Sequence, residues 1–236
     1  MTGLRLNLGS GTTPIPGFVN VDALEDAAGV DVVADISERL PFEDGAAELV
    51  YASHLLEHFA TDRVPELLRE WRRLLAPGGV LLIAVPDLEA IASILVSREG
   101  WFTPPNAPWI GAIYGGQKDE YDFHKTGFTG PWLAYLMREA GFGEIERVAR
   151  FEEIPVADAS FSPLPFGTNI SLNVRGVAGG ADRLEGTTTP EGWVRVFEVF
   201  DRILMLAMHV STGLRARLMR RRRTRLERSL APGDEP

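Results

Sequence analysis

The chain has 236 residues, 45% hydrophobic and 24% charged, which is the balance of a globular domain and excludes disordered and fibrous classes. It has no cysteine, which excludes disulfides, thiolate metal sites and cysteine nucleophiles together. The net charge of −9 is uneven: residues 1–213 carry −14, whereas residues 214–236 carry eight Arg against three acids. An acidic body repels phosphate backbones, so a nucleic-acid partner is not expected. No apolar run approaches the ~20 residues of a bilayer span and the N-terminus lacks a leader pattern, so a cytoplasmic location is expected.

Two short strand-like runs open the chain, Leu4–Leu8 and Phe18–Val21, separated by the Gly/Thr/Pro stretch Gly9 to Gly17. Val30–Ala34 and Ala47–Ala52 follow as further apolar runs. Asp62–Ala76 has helical spacing in Val64, Leu67, Leu68, Trp71, Leu74 and Leu75, and Pro77-Gly78-Gly79 stops it. Val80–Val85 reads as a buried strand, with a helix over Leu88–Val96 behind Asp87, a natural N-cap. Residues 100–128 are rich in Gly, Pro and aromatics, including Trp101, Phe102, Trp109, Tyr114 and Tyr121, and read as a lid or connecting insertion. A helix over Pro131–Ala140 stops at Gly141, and strands follow over Ile145–Phe151 and Asn169–Val177. A late seven-residue period marks residues 191–225 as one long amphipathic helix.

Strands alternating with helices predict an α/β fold with a Rossmann-like, mostly parallel sheet and helices on both faces, plus the C-terminal helix. Residues 1–178 form the expected domain and 179–236 a helical, Arg-rich extension. That extension docks on the domain, pairs as a homodimer, or lies peripherally on a membrane with Arg220–Arg223 against anionic lipid.

The most informative stretch is Leu6-Asn7-Leu8-Gly9-Ser10-Gly11, followed by Asp22 at the end of the next strand. Glycines let a chain turn sharply off a strand and approach a ligand, and a carboxylate on the adjacent strand tip can accept both hydroxyls of a ribose. The third glycine of a dinucleotide fingerprint is missing, and Pro14 and Pro16 sit where its helix would begin. Nicotinamide cofactors are therefore not expected.

With Val19-Asn20-Val21-Asp22, Asp35-Ile36, Leu40-Pro41-Phe42, Tyr51-Ala52-Ser53-His54-Leu55-Leu56-Glu57-His58, Leu74-Leu75-Ala76-Pro77-Gly78-Gly79 and Glu139-Ala140-Gly141-Phe142, the ordered blocks resemble the class I S-adenosylmethionine-dependent methyltransferases. The resemblance is to a small bacterial, type 11-like branch often linked to surface-glycan pathways, and covers about residues 4–150. It implies S-adenosylmethionine as cofactor and a hydroxyl or amine of a small molecule or glycan as acceptor. By position, Gly9, Ser10 and Gly11 would wrap the methionine and ribose, Asp22 would hold the ribose hydroxyls, and Asp35 would meet the adenine amine with Ile36 against the ring. Ser53 and His54 would lie beside the methionine. In most such enzymes a helix joins the first two strands; here only Thr12–Gly17 separates Gly11 from Phe18. A hairpin there would put Asp22 at the wrong end of the sheet, so the site requires a tight parallel return.

On the acceptor side, Asp119-Glu120-Tyr121-Asp122-Phe123-His124-Lys125 supplies His124 as candidate base and Tyr121 as substrate contact. Asp87 can reach the acceptor or cap its helix. His54-Leu55-Leu56-Glu57-His58 also spells the inverted zinc-protease signature H-x-x-E-H, in which two His on one helix face bind zinc and Glu57 acts as base. Its position after a buried strand favours the methyltransferase reading, with Glu57 and His58 fixing the following helix by local hydrogen bonds and no metal expected. The alternatives to catalysis by methyl transfer are thus a cofactor-binding relative without turnover and a zinc hydrolase.

Overall fold

Seven strands pair in one sheet in the order β3-β2-β1-β4-β5-β7-β6, in a computed structural model that describes residues 3–25, 28–97, 108–157 and 169–179. The strands are β1 (Leu4–Leu8), β2 (Val19–Asp22), β3 (Val32–Val33), β4 (Ala47–Ser53), β5 (Leu75–Pro86), β6 (Phe142–Val148) and β7 (Ser171–Ala178). Between them lie α1 (Val64–Leu74), α2 (Leu88–Ser97), α3 (Pro108–Tyr114) and α4 (Gly130–Glu139). β1 pairs in parallel with both β2 and β4, β4 with β5, and β2 with β3. β7 runs antiparallel between β5 and β6. The mostly parallel α/β sheet is as the alternating pattern predicts. The chain divides into two units, Met1–Asp182 and Arg183–Pro236, and every described residue belongs to the first. The expected C-terminal helix lies outside the described residues. No helix among the described residues is long and apolar enough to cross a membrane.

Alternation along the central strands sends side chains to two faces. Val50 and Ala52 of β4 and Leu81, Ile83 and Val85 of β5 join the larger core, covered by Val64, Leu67, Leu68, Trp71 and Leu74 of α1 and by Leu133, Leu136 and Met137 of α4. Leu49, Tyr51, Leu82 and Ala84 face the other way and meet Ile15, Phe18 and Phe151. Among the described residues this second core is closed by connecting segments rather than by a helix. Ile15 and Phe18 belong to the return from β1 to β2, so the segment that replaces a helix also does a helix's packing. The guanidinium of Arg5 lies over the Phe18 ring at 4.4 Å and donates to the Glu153 carbonyl at 3.1 Å, tying this cover to the 151–156 segment.

A parallel return without a helix leaves its backbone groups unpaired unless side chains serve them. Asn20, buried on β2, does this. Its Oδ1 accepts from Ile15 N at 2.8 Å and from Asn7 Nδ2 at 3.0 Å. Its Nδ2 donates to Asp31 Oδ2 at 3.0 Å, and its backbone N–H donates to the same oxygen at 2.8 Å. Asn7 Nδ2 also reaches the Thr13 carbonyl at 3.2 Å.

Several elements differ from the periodicity. Pro77-Gly78-Gly79 lies inside β5, since α1 already ends at Leu74 and Leu75 is extended. β6 starts at Phe142, directly after Gly141 at φ +92°, and its register shifts between Gly143 and Glu146. The 100–128 insertion contains the helix α3. Asn20→Ala should lower the unfolding free energy by about 2 kcal/mol, because Ile15 N is left buried without an acceptor. Urea denaturation measures this, and a loss below about 0.5 kcal/mol would show that the return holds without Asn20.

Candidate functional site

In a sheet of this kind the crevice opens beyond the carboxyl ends of the strands where the strand order reverses, here between β1 and β4. The parallel pairing of β1 with β2 puts Asp22 at the same edge as Gly9–Gly11. Gly9 has φ +64°, and a Cβ there would lie 2.7 Å from Leu55 Cδ1, so its bareness serves packing. Gly11 has φ +50° and nothing within 4 Å of its Cβ position, which leaves open space on the crevice side. Asp22 Oδ2 accepts from Gly11 N at 2.8 Å and Oδ1 from Leu24 N at 3.0 Å. The carboxylate therefore shapes the loop, and its remaining lone pairs are available to further donors. Ser10 Oγ and Ser53 Oγ, at the ends of β1 and β4, are buried and have no hydrogen-bond partner. Two orphaned hydroxyls and a bare turn fit a polar ligand at this crevice.

The other residues singled out in the sequence are placed as follows. Asp35 is exposed and heads a turn, its Oδ1 accepting from Ser37 N at 2.8 Å. Ile36 turns inward and is buried in the larger core, so its side chain is given to packing. Asp87, 1% exposed, accepts from Ala90 N at 3.0 Å as the cap of α2 and from Arg147 Nη2 at 2.6 Å. Both its oxygens are engaged in holding the fold. Tyr121 is 61% exposed. His54 turns the chain off β4 in the left-handed region at φ +49°, an uncommon backbone for a side-chain-bearing residue. Its N–H donates to the Ala84 carbonyl at 2.8 Å, and its Nε2 is 3.0 Å from Ser171 Oγ.

The H-x-x-E-H motif is not on an α-helix. Leu56–His58 is a single 3₁₀ turn, and the corner at His54 removes the shared helical face that the protease signature requires. Neither oxygen of Glu57, 1% exposed, accepts a hydrogen bond of good geometry, and the local contact that remains is with His54. His54 Nδ1 lies 3.1 Å from Glu57 Oε1, and His124 Nε2 lies 4.0 Å from the same oxygen. The His58 and His124 rings meet edge to face at 4.8 Å. This union of Glu57, His58 and His124 was not legible in the spacing. The 124–126 segment is held there because Lys125 N and Thr126 N both donate to the Glu57 carbonyl, at 2.8 and 3.2 Å.

His124 also lines a cavity of about 230 Å³ with Pro86, Leu88, Ile91, Ala112 and Tyr114. Its Nδ1 is 3.1 Å from the Ala112 carbonyl, which can only accept, so Nδ1 carries the proton and Nε2 the lone pair. Burial pushes the His124 pKa below its ordinary value, over the opposing pull of Glu57. His124 thus links the cavity to Glu57, and His54 links Glu57 to the end of β4.

Residues 16–83 match the family described as methyltransferase domain. Over 124 residues the chain is 29% identical to a highly reducing polyketide synthase of Aspergillus terreus, a match that takes 50% of this chain and 4% of that one. The chain therefore spans a small fraction of the length of this curated relative. Among solved structures, a SAM-dependent methyltransferase of Thermotoga maritima superposes with a TM-score of 0.50 at 21% identity, over 75% of this chain and 82% of its own. One from Archaeoglobus fulgidus gives 0.48 at 17%, over 75% and 87%.

The two loop glycines should respond differently to alanine. Gly11→Ala should cost about 1–2 kcal/mol, the left-handed backbone term alone. Gly9→Ala should cost more, since Leu55 must also move. Thermal and urea unfolding of both variants test this, and equal losses would contradict the packing role given to Gly9.

Proposed function

We propose that the chain is a class I S-adenosylmethionine-dependent methyltransferase whose acceptor is a hydroxyl or amine of a small molecule or glycan seated in the cavity beside His124. Bound at the β1–β4 crevice, S-adenosylmethionine supplies a methyl carbon activated by its sulfonium. Ser10 Oγ, the open side of Gly11 and the spare lone pairs of Asp22 are suited to the ribose and methionine parts, and exposed Asp35 to the adenine amine. Ser53 and His54, at the end of β4, are suited to the methionine end of the cofactor.

The observation that carries the reading is the continuous path from that strand end to the cavity: His54 beside Glu57, Glu57 beside His124, and His124 on the cavity wall. Methyl transfer needs the acceptor atom in line with the methyl carbon and water kept away, and a mainly apolar cavity favours both. As the new bond to carbon forms and the carbon–sulfur bond breaks, the acceptor must lose a proton. Neutral His124, on the cavity wall with its Nε2 lone pair free of a proton, is suited to hold or receive it. Exposed Phe123 and Tyr121 beside this segment offer faces on which a sugar ring could stack.

Calorimetry with S-adenosylhomocysteine, followed by methyl-donor turnover over a panel of sugars, amino sugars and small alcohols, tests the proposal. Asp22→Ala should weaken cofactor-product binding by about 1–3 kcal/mol, leaving ribose donors unpaired. Unchanged affinity would remove Asp22 from the site. His124→Ala should lower kcat by about 10²–10⁴-fold on a hydroxyl acceptor while leaving that affinity near wild type. Cofactor binding with no turnover on any acceptor would favour a relative that binds without catalysis.

A further inference from the structure

We propose that Glu57, His58 and His124 form a divalent-metal centre, which takes a first-row cation such as Mn²⁺ or Zn²⁺ and presents it to a hydroxyl acceptor. The acceptor half of this rests on the function proposed above; the metal half stands by itself.

Each of the three residues offers one ligand atom, and these atoms lie within 4.8 Å of one another. Tetrahedral ligands on a common ion at about 2.0–2.2 Å stand about 3.3–3.6 Å apart, so side-chain rotations that move the ligand atoms inward by about 1 Å close the set. Two imidazole nitrogens and one carboxylate oxygen suit Zn²⁺, Mn²⁺ or Fe²⁺ and leave coordination positions for water and substrate.

Three features point to a cation rather than to a structural cluster. The Glu57 carboxylate is buried, and neither of its oxygens accepts a hydrogen bond. Its one close partner among the described residues is His54 Nδ1, 3.1 Å from Oε1, which leaves Oε2 unserved, and a buried carboxylate in that condition gains from a further positive partner. Both rings are oriented to supply lone pairs: His58 Nδ1 faces the Phe123 carbonyl at 3.2 Å and His124 Nδ1 the Ala112 carbonyl at 3.1 Å. Protons on both Nδ1 atoms leave both Nε2 atoms as bases, the outer-shell pattern of metal-binding histidines. Finally, His124 Nε2 confronts Glu57 Oε1 at 4.0 Å, base against base, and an ion between them converts that opposition into attraction.

The frame exists without the ion. Lys125 N and Thr126 N bind the Glu57 carbonyl, His124 N binds the Tyr114 carbonyl at 3.1 Å, and Thr61 Oγ1 donates to Thr126 Oγ1 at 2.9 Å. His54, 3.1 Å from Glu57 Oε1, acts as a positioning residue for the carboxylate. A cation here lowers the pKa of a hydroxyl that reaches it from the cavity. The acceptor proton then leaves to solvent, the oxygen takes the methyl carbon, and the donor departs as S-adenosylhomocysteine. His124 in this arrangement holds the ion instead of taking the proton itself.

The test uses the full chain stripped with chelator and titrated with Mn²⁺ alone, following loss of the free-ion paramagnetic resonance signal, with Zn²⁺ in parallel calorimetry. One ion per chain and a higher Tm in the presence of metal are expected. Glu57→Gln, His58→Ala and His124→Ala should each weaken binding at least tenfold. Glu57→Gln keeps the shape and removes the carboxylate ligand, and its circular dichroism and melting verify a folded variant. Binding of neither ion tighter than about 1 mM, or equal affinity in folded Glu57→Gln, would overturn the centre. A stoichiometric ion without turnover on any acceptor supports the centre and counts against the acceptor reading. Turnover that ignores chelator, with no ion bound, overturns the centre and leaves the acceptor reading standing.

Discussion

Ten residues, Gly9 to Phe18, carry the chain from the end of β1 back to the start of a parallel β2 without a helix, and the crevice at the strand ends depends on that return. Reversal into a hairpin would be the shorter path, but it would place Asp22 at the opposite edge from Gly11. The parallel course is held by buried Asn20, which serves both the loop and the segment leading to β3. Asp22 then joins the two strand ends through Gly11 N. The same loop supplies Ile15 and Phe18 to the second core, so its backbone geometry and its packing support each other.

Two acids with equally buried side chains stand near neighbouring strand ends and have opposite fates. Asp87 after β5 is saturated by the first turn of α2 and by Arg147, which fixes the helix leaving the sheet. Glu57 after β4 has histidines around it and no hydrogen bond on either oxygen. Asp87 is thus spent on the fold, whereas Glu57 is held mainly by the His54 imidazole. The contrast separates structural from chemical carboxylates more sharply than their positions in the chain do.

The cavity beside His124 extends the same logic. Its wall comes from α2, α3 and the 124–127 segment, elements brought together over the end of β5. Only a few polar groups enter it, and among them the His124 side chain also faces the buried carboxylate. A mainly apolar chamber with one neutral imidazole is suited to holding a neutral acceptor out of water.

The sequence by itself determined the strand blocks, the glycine turn, the acid at the tip of β2 and the α/β class, because these follow from local periodicity, turn chemistry and block order. The parallel return was legible as a requirement: with Gly9–Gly11 and Asp22 both needed at one crevice, no hairpin would serve. Tertiary structure decided the rest. Ile36 went to the core because the turn at Asp35 directs it inward, and Asp87 became structural because Arg147 arrives from the distant β6. Glu57, His58 and His124 met because backbone bonds from residues 125 and 126 to the Glu57 carbonyl close a loop of more than 60 residues. No period or spacing records a contact of that kind, since it depends on how separate elements stack and not on how any one of them repeats.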